Sequence, residues 1–238
     1  WAISSISQMH MLAWEYEQAI EWGERALELA RRLQAETVIV HALNNVGTAH
    51  FFSNRPEKSR TMLEESIRRA VEGNLPHDAC LGHLNLAGGL GALGRYKEAR
   101  AEYEKLYNYA NRVHLPMYAA GSLIELNWLD WINGRWRDAL AQKPQIHDWL
   151  EQAPSMAYAH VIAAHLFGQQ FNDLGQPQAA YAILESSLSL VRSYDEFQFT
   201  VPHLMGKARA LITEKDNVEA KQVIYELLDI LIQYDNVQ

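Results

Sequence analysis

The sequence predicts an all-α fold, a right-handed α-solenoid of about six helix hairpins, and three observations carry that reading. A small residue recurs at Ala19, Ser59, Ala99, Ala139, Ala180 and Ala220, in steps of 40, 40, 40, 41 and 40 residues. Held at one phase, a small side chain lets two helices cross closely in every unit, and self-similarity at such a period marks a stacked helical array. Turn-forming residues recur in step with it. Between the turns, apolar residues fall at three- and four-residue intervals without sustained alternation, so no strand is expected.

The first hairpin is expected over residues 1–12 and 16–33, joined by Leu12-Ala13-Trp14-Glu15, with Ala19, Ile20, Gly23, Ala26, Leu27 and Ala30 as its stripe. The second covers 36–53 and 57–73 around Ser53-Asn54-Arg55-Pro56, with Met62, Leu63, Ser66, Ile67 and Ala70 in line. The third covers 77–93 and 96–113 around Leu93-Gly94-Arg95, and the fourth covers 116–133 and 136–151 around Asn133-Gly134-Arg135. Glycine in these turns can take the left-handed conformation that ends a helix. Asn74-Leu75-Pro76 and His114-Leu115-Pro116, again 40 apart, put proline where a helix starts and a backbone donor is not needed. Lys143-Pro144 falls inside the second helix of the fourth pair, so a kink or break is expected near residues 140–144. Ala153-Pro154 then makes the fourth-to-fifth junction the expected bend. The fifth hairpin covers 155–173 and 177–193 around Leu174-Gly175-Gln176-Pro177, and the sixth covers 197–214 and 217–235.

The last helix spreads Val223, Ile224, Leu227, Leu228, Ile230, Leu231, Ile232 and Tyr234 around much of its circumference. A terminal repeat normally turns a polar face to water. Residues 1–238 are therefore expected to be one superhelical domain cut from a larger protein, with self-association or a missing neighbour at the C-terminal helix.

Composition narrows the partner. The net charge is −8 with both signs interleaved along the helices, which argues against direct nucleic-acid contact, because phosphate binding needs a basic stripe. No apolar run approaches the ~18 residues that span a bilayer, so no membrane contact is expected. Cys80 is the single cysteine, which rules out an intrachain disulfide and favours a reducing, cytoplasmic setting.

The third hairpin shows the unit most fully. Asn85-Leu86-Ala87, Leu90 and Leu93-Gly94-Arg95-Tyr96-Lys97-Glu98-Ala99 resemble a tetratricopeptide repeat, with its small residue in the first helix, its Gly-x-Tyr turn and its Ala in the second. Asn45-Val46-Gly47 and Gly134-Arg135-Trp136-Arg137-Asp138-Ala139 repeat those marks. That repeat is usually ~34 residues, and the units here are about six longer. The longer unit, with phrases such as Ala42-Leu43-Asn44-Asn45-Val46-Gly47-Thr48-Ala49, resembles the arrays of large bacterial ATP-dependent regulators of the LuxR type, related to the maltose activator. That resemblance implies a nucleotide-binding switch domain before the array and often a helix-turn-helix after it. The terminal units depart from the pattern: Lys207 stands where an apolar residue is expected, Asn217 where Tyr or Pro stood, and Trp14 where a Gly closed the turn.

No constellation in the chain points to catalysis. Gly89-Leu90-Gly91-Ala92-Leu93-Gly94 spells a dinucleotide fingerprint, but that motif works between a strand and a helix, and here it closes a helix. His160 and His165 are five apart and do not share a helix face, while His10 and His50 occupy one repeat phase and read as packing residues. Cys80 reads as a buried thiol. No catalytic residue, metal or cofactor is expected, and the protein is not expected to be an enzyme.

The resemblance implies a concave groove lined by the first helix of each pair. Carried over by phase, this gives Asn45, Asn85, Glu125, Trp128, Trp131, His165, Gln169 and Arg209 as the binding track. Asn45 and Asn85 match the recurrent groove asparagine, whose amide can bracket a ligand backbone. Trp128 and Trp131, one turn apart, offer aromatic area of the kind favoured at binding surfaces. The groove positions supply no lysine clamp for an acidic tail. The expected partner is a protein or peptide, or a small polar ligand. The expected role is a sensor module of a signalling or transcriptional regulator; a passive assembly scaffold and a peptide-pheromone receptor are the alternatives.

Overall fold

The computed structural model describes residues 1–152, 157–193 and 197–235. Among them the chain forms twelve helices and no strand: α1 (Ala2–Leu12), α2 (Tyr16–Arg32), α3 (Glu36–Phe52), α4 (Pro56–Glu72), α5 (Pro76–Ala92), α6 (Tyr96–Arg112), α7 (Pro116–Ile132), α8 (Trp136–Gln152), α9 (Ala157–Asp173), α10 (Pro177–Ser193), α11 (Phe197–Glu214) and α12 (Asn217–Asp235). The fold is the all-α hairpin array that the period predicts, and helix ends fall within one or two residues of the expected boundaries.

Every turn inside a hairpin is closed the same way. Trp14, Asn54, Gly94, Gly134, Gly175 and Lys215 have φ of 65, 55, 72, 76, 69 and 64°. The next residue's N–H returns to a carbonyl five residues back: Glu15 to His10, Arg55 to His50, Arg95 to Leu90, Arg135 to Asp130, Gln176 to Phe171 and Asp216 to Leu211, at 2.8–3.0 Å. This satisfies a carbonyl that the helix end would leave unpaired, and it asks for a left-handed residue, which glycine fills without strain. Pro56, Pro76, Pro116 and Pro177 open helices where their missing N–H has no partner to lose.

The chain divides into two compact units, Trp1–Leu129 and Asp130–Gln238. In the first, α1 packs on α2 and α3, α3 on α4 and α5, and α5 on α6. Ala19, Ser59 and Ala99 are fully buried at the helix crossings. Ser7 Oγ donates to the Ala19 carbonyl at 2.7 Å, and Ser59 Oγ donates to the Gly47 carbonyl at 2.5 Å. A Cβ at Gly47 would stand 2.8 Å from Leu63 Cγ, so the close crossing admits only glycine.

In the second unit α9 packs on α10 and α11, and α11 packs on α10 and α12. Gly168 repeats the Gly47 contact: its Cβ would stand 2.6 Å from Leu184 Cγ. Ala139 and Ala180 are fully buried, and Ala220 is nearly so. Lys207, at its apolar phase, buries its stem while its ammonium reaches Glu185 at 2.7 Å and Glu219 at 3.0 Å. A long stem can cover core while its charge stays at the edge.

The break expected near residues 140–144 does not occur, because α8 runs unbroken from Trp136 to Gln152 with Pro144 inside it. Both Pro144 and Leu140, whose carbonyl loses its donor, lie on the exposed side, so water can serve that carbonyl. The Ala153-Pro154 junction lies outside the described residues. On α12, Val223 enters the core of the unit, with Leu227 and Ile230 packed against it. Ile224, Tyr225, Leu228, Leu231 and Ile232 remain exposed.

Candidate binding face

In the first unit the face to consider is formed by α1, α3, α5 and α7 up to Leu129. Asn45 is 1% exposed, and its Nδ2 donates to the Ser4 carbonyl at 3.4 Å and to His41 Nδ1 at 3.3 Å. Ser4 Oγ also donates to His41 Nδ1, at 2.6 Å. His41 thus accepts at Nδ1, and burial pushes its pKa down, which keeps the ring neutral. Asn85 is half-buried and its Nδ2 donates to Asn44 Oδ1 at 3.2 Å. The two asparagines predicted to meet a ligand therefore join neighbouring first helices, and Asn85 does so nearer the surface.

Glu125 is half-buried on α7 and hydrogen-bonded to Tyr103 of α6. Burial holds its carboxyl above the usual range, and both burial and the Glu125 charge raise the Tyr103 phenol. The phenol therefore keeps its proton and donates to the carboxyl. Trp128, one turn further along α7, is half-buried, with the Tyr96 ring edge-on at 6.2 Å. Between Thr48 of α3 and Trp128 of α7, the matching position of α5 is Gly88, which is exposed. A Cβ there would lie 3.9 Å from Tyr103 Oη, and one at Gly91 would meet nothing within 4 Å. The α5 row is bare.

In the second unit Trp131 is 7% exposed, and its Nε1–H donates to Asp173 Oδ2 at 2.8 Å. Its ring stacks on Trp136 at 5.6 Å. Arg209 is exposed, and Nη1 donates to the other Asp173 oxygen at 2.7 Å. Asp173 thus ties α9 to both a tryptophan and an arginine of the predicted track. His165 is half-buried, its Nδ1 has no hydrogen-bond partner among the described residues, and its ring lies 5.5 Å from that of His203. Burial, with a smaller contribution from His203, pushes its pKa down to about 4. Gln169 is exposed on α9.

Several partners were missed by phase alone, and each had a signal. Tyr103 occupies the position of the buried Leu63 and Leu184, so its hydroxyl needed an acceptor. Asp173 occupies the phase of Phe52 and Ile132, where a carboxylate needs donors. Elsewhere, Cys80 is fully buried and burial raises its thiol to about 11. No three His, Cys, Asp or Glu side chains of the described residues gather as a metal site. No helix of the described residues is long and apolar enough to cross a membrane.

The tetratricopeptide repeat family profile matches residues 3–70. No curated protein matches the sequence. Among solved structures, BtubC from P. vanneervenii is similar at a TM-score of 0.73 with 15% identity, over 92% of this chain and 92% of that one. The apo form of RapI is similar at 0.71 with 14% identity, over 98% of this chain and 83% of that one. The Rap conjugation gene regulator of plasmid pLS20, solved with the Phr* peptide, is similar at 0.68 with 17% identity, over 97% of this chain and 63% of that one. At these identities the likeness is one of fold.

Proposed function

We propose that this chain is a peptide- or protein-binding repeat module of a signalling regulator, and that the first helices of its first unit take an extended segment of the partner. The observation that carries the reading is the α5 row: an exposed Gly88 and an open Gly91, flanked by Asn85 and by the half-buried Trp128. Missing side chains allow a backbone to approach closely, amides can bond it, and an aromatic wall gives area at little entropy. The likeness to a Rap regulator holding a peptide supports the peptide class. The resemblance to LuxR-type arrays supports the signalling setting.

The test is selection of peptides by the full chain from a phage-displayed random nonapeptide library, followed by titration monitored by tryptophan fluorescence. Selected peptides should bind more weakly to Trp128→Ala by about 1–3 kcal/mol. A library that yields no binder refutes the peptide reading and leaves the passive scaffold. Equal binding by wild type, Trp128→Ala and Asn85→Ala would place the site elsewhere. The signalling setting is tested in the parent gene, by a nucleotide-binding motif upstream or a helix-turn-helix downstream.

A further inference from the structure

The first helices of unit 1, α1, α3, α5 and α7 to Leu129, carry no lysine or arginine. Their acidic residues are Glu36, Asp78 and Glu125. The arginines and lysines of this unit lie on the second helices and in turns, where carboxylates meet many of them: Arg55 with Glu17 at 3.0 Å, Lys58 with Glu24 at 3.1 Å, Arg60 with Glu98 at 3.1 Å and Arg95 with Glu57 at 3.4 Å. Glu36 is likewise paired, with Arg69 of α4 at 2.8 Å. Glu125 differs: the hydrogen bond that holds it comes from a neutral phenol. It is a half-buried carboxyl on a set of helices that supply it no lysine or arginine.

Access to it is built in. The Tyr103 hydroxyl that holds Glu125 lies 3.9 Å from where a Cβ would stand on Gly88, and Gly88 is exposed. The row on α5 therefore opens toward the phenol–carboxyl pair, with Trp128 one turn along α7 as its wall. A Cβ at position 88 would stand in ordinary van der Waals contact with that hydroxyl.

Resting on the peptide-binding reading above, we infer that this notch is a subsite for a lysine or arginine side chain of an extended peptide. The ammonium or guanidinium meets the Glu125 carboxylate in a charge-assisted hydrogen bond, and the aliphatic stem lies along the Trp128 ring. The peptide backbone runs over the bare Gly88 and Gly91 row. An acidic or phosphorylated segment finds no lysine or arginine on these helices. A docked cation also favours the charged form that burial disfavours at Glu125.

The experiment pans the random nonapeptide library on the full chain and, in parallel, on Glu125→Gln. The glutamine keeps an oxygen to accept from Tyr103, and an unchanged melting temperature verifies the variant. Wild-type selections should converge on Lys or Arg at one position, and Glu125→Gln selections should not. The leading wild-type peptide should lose about tenfold or more in affinity on Glu125→Gln, and by a similar factor when its cationic residue becomes methionine. The two changes together should cost little more than either alone, because they remove one interaction. If Glu125→Gln proved unfolded, replacing the peptide's cation by glutamate would make the same measurement on the intact protein. Peptides selected without a fixed cation, or bound equally by Glu125→Gln, overturn the subsite and leave the module reading standing. Absence of any selected peptide overturns both.

Discussion

Mild acid should weaken the second unit through His165. Its ring is half-buried beside His203 and its pKa is pushed from the ordinary 6.5 down to about 4. Because the folded value lies below the unfolded one, folding favours the neutral ring. That contribution is complete above the unfolded value and is lost as pH falls below it. From about pH 6.5 to about pH 5 the unfolded chain binds a proton that the folded ring refuses, at about 1.4 kcal/mol per unit, so the loss is about 2 kcal/mol. That figure is an upper bound, since partial exposure lets water stabilise a charged ring. His203 is shifted in the same direction by burial and adds to the slope. The assay is urea unfolding followed by far-UV circular dichroism at about pH 7.5 and about pH 5, above most of the carboxylate range. In His165→Leu, which installs the residue found at the same phase in Leu84, the drop should shrink by that amount. An identical drop in wild type and His165→Leu would show that the ring is solvated in the native state and refute the reasoning.

Three further outcomes are expected. Trp131→Ala should cost about 3–5 kcal/mol of stability, because it removes a buried ring, its stack on Trp136 and the donor to Asp173; Trp128→Ala, at a half-buried site, should cost less than half of that in the same urea titration. Gly94→Ala should lose about 1 kcal/mol, because its φ of 72° is strained for any Cβ. Lys215→Gly, at φ 64°, should gain up to about 1 kcal/mol by thermal melting, the relief of strain being partly offset by a freer unfolded chain.

The fold was legible because its determinants are local and repeated. A small residue at each crossing, a left-handed residue at each turn and a proline at several helix starts recur in phase, and each has a steric cause that no distant contact overrides. Pro144 shows the limit: a breaker acts through the hydrogen bond it removes, and where the orphaned carbonyl faces water the helix continues. The candidate site was less legible because phase states which helix face a residue occupies and not what its polar atoms bond. Trp128 and Trp131 are one turn apart, yet only Trp131 has its indole N–H bonded to Asp173. Asn45 and Asn85 share a phase, yet one is sealed against Ser4 while the other is half-buried against Asn44.

What separates structure from recognition in such an array is the fate of each departure from the repeat. A polar group at an apolar phase must find a partner within the fold. Lys207 finds Glu185 and Glu219, which turns a misfit into a bridge between helices. Asp173 finds Trp131 and Arg209, one donor on each oxygen and the second of them a cation. Tyr103 finds Glu125, and that pair is different because burial disfavours the charge on its carboxyl and the hydrogen bond it receives comes from a neutral donor. Its neighbour on α5 is an exposed glycine whose Cβ would lie 3.9 Å from the phenol oxygen. An internal pair needs no such opening, and a stability requirement alone would favour a larger residue than glycine in a helix by about 1 kcal/mol. The combination of a carboxyl bonded to a neutral phenol and a glycine-lined stretch of helix beside it is what the proposed cation subsite draws on, and the Glu125→Gln selections decide it.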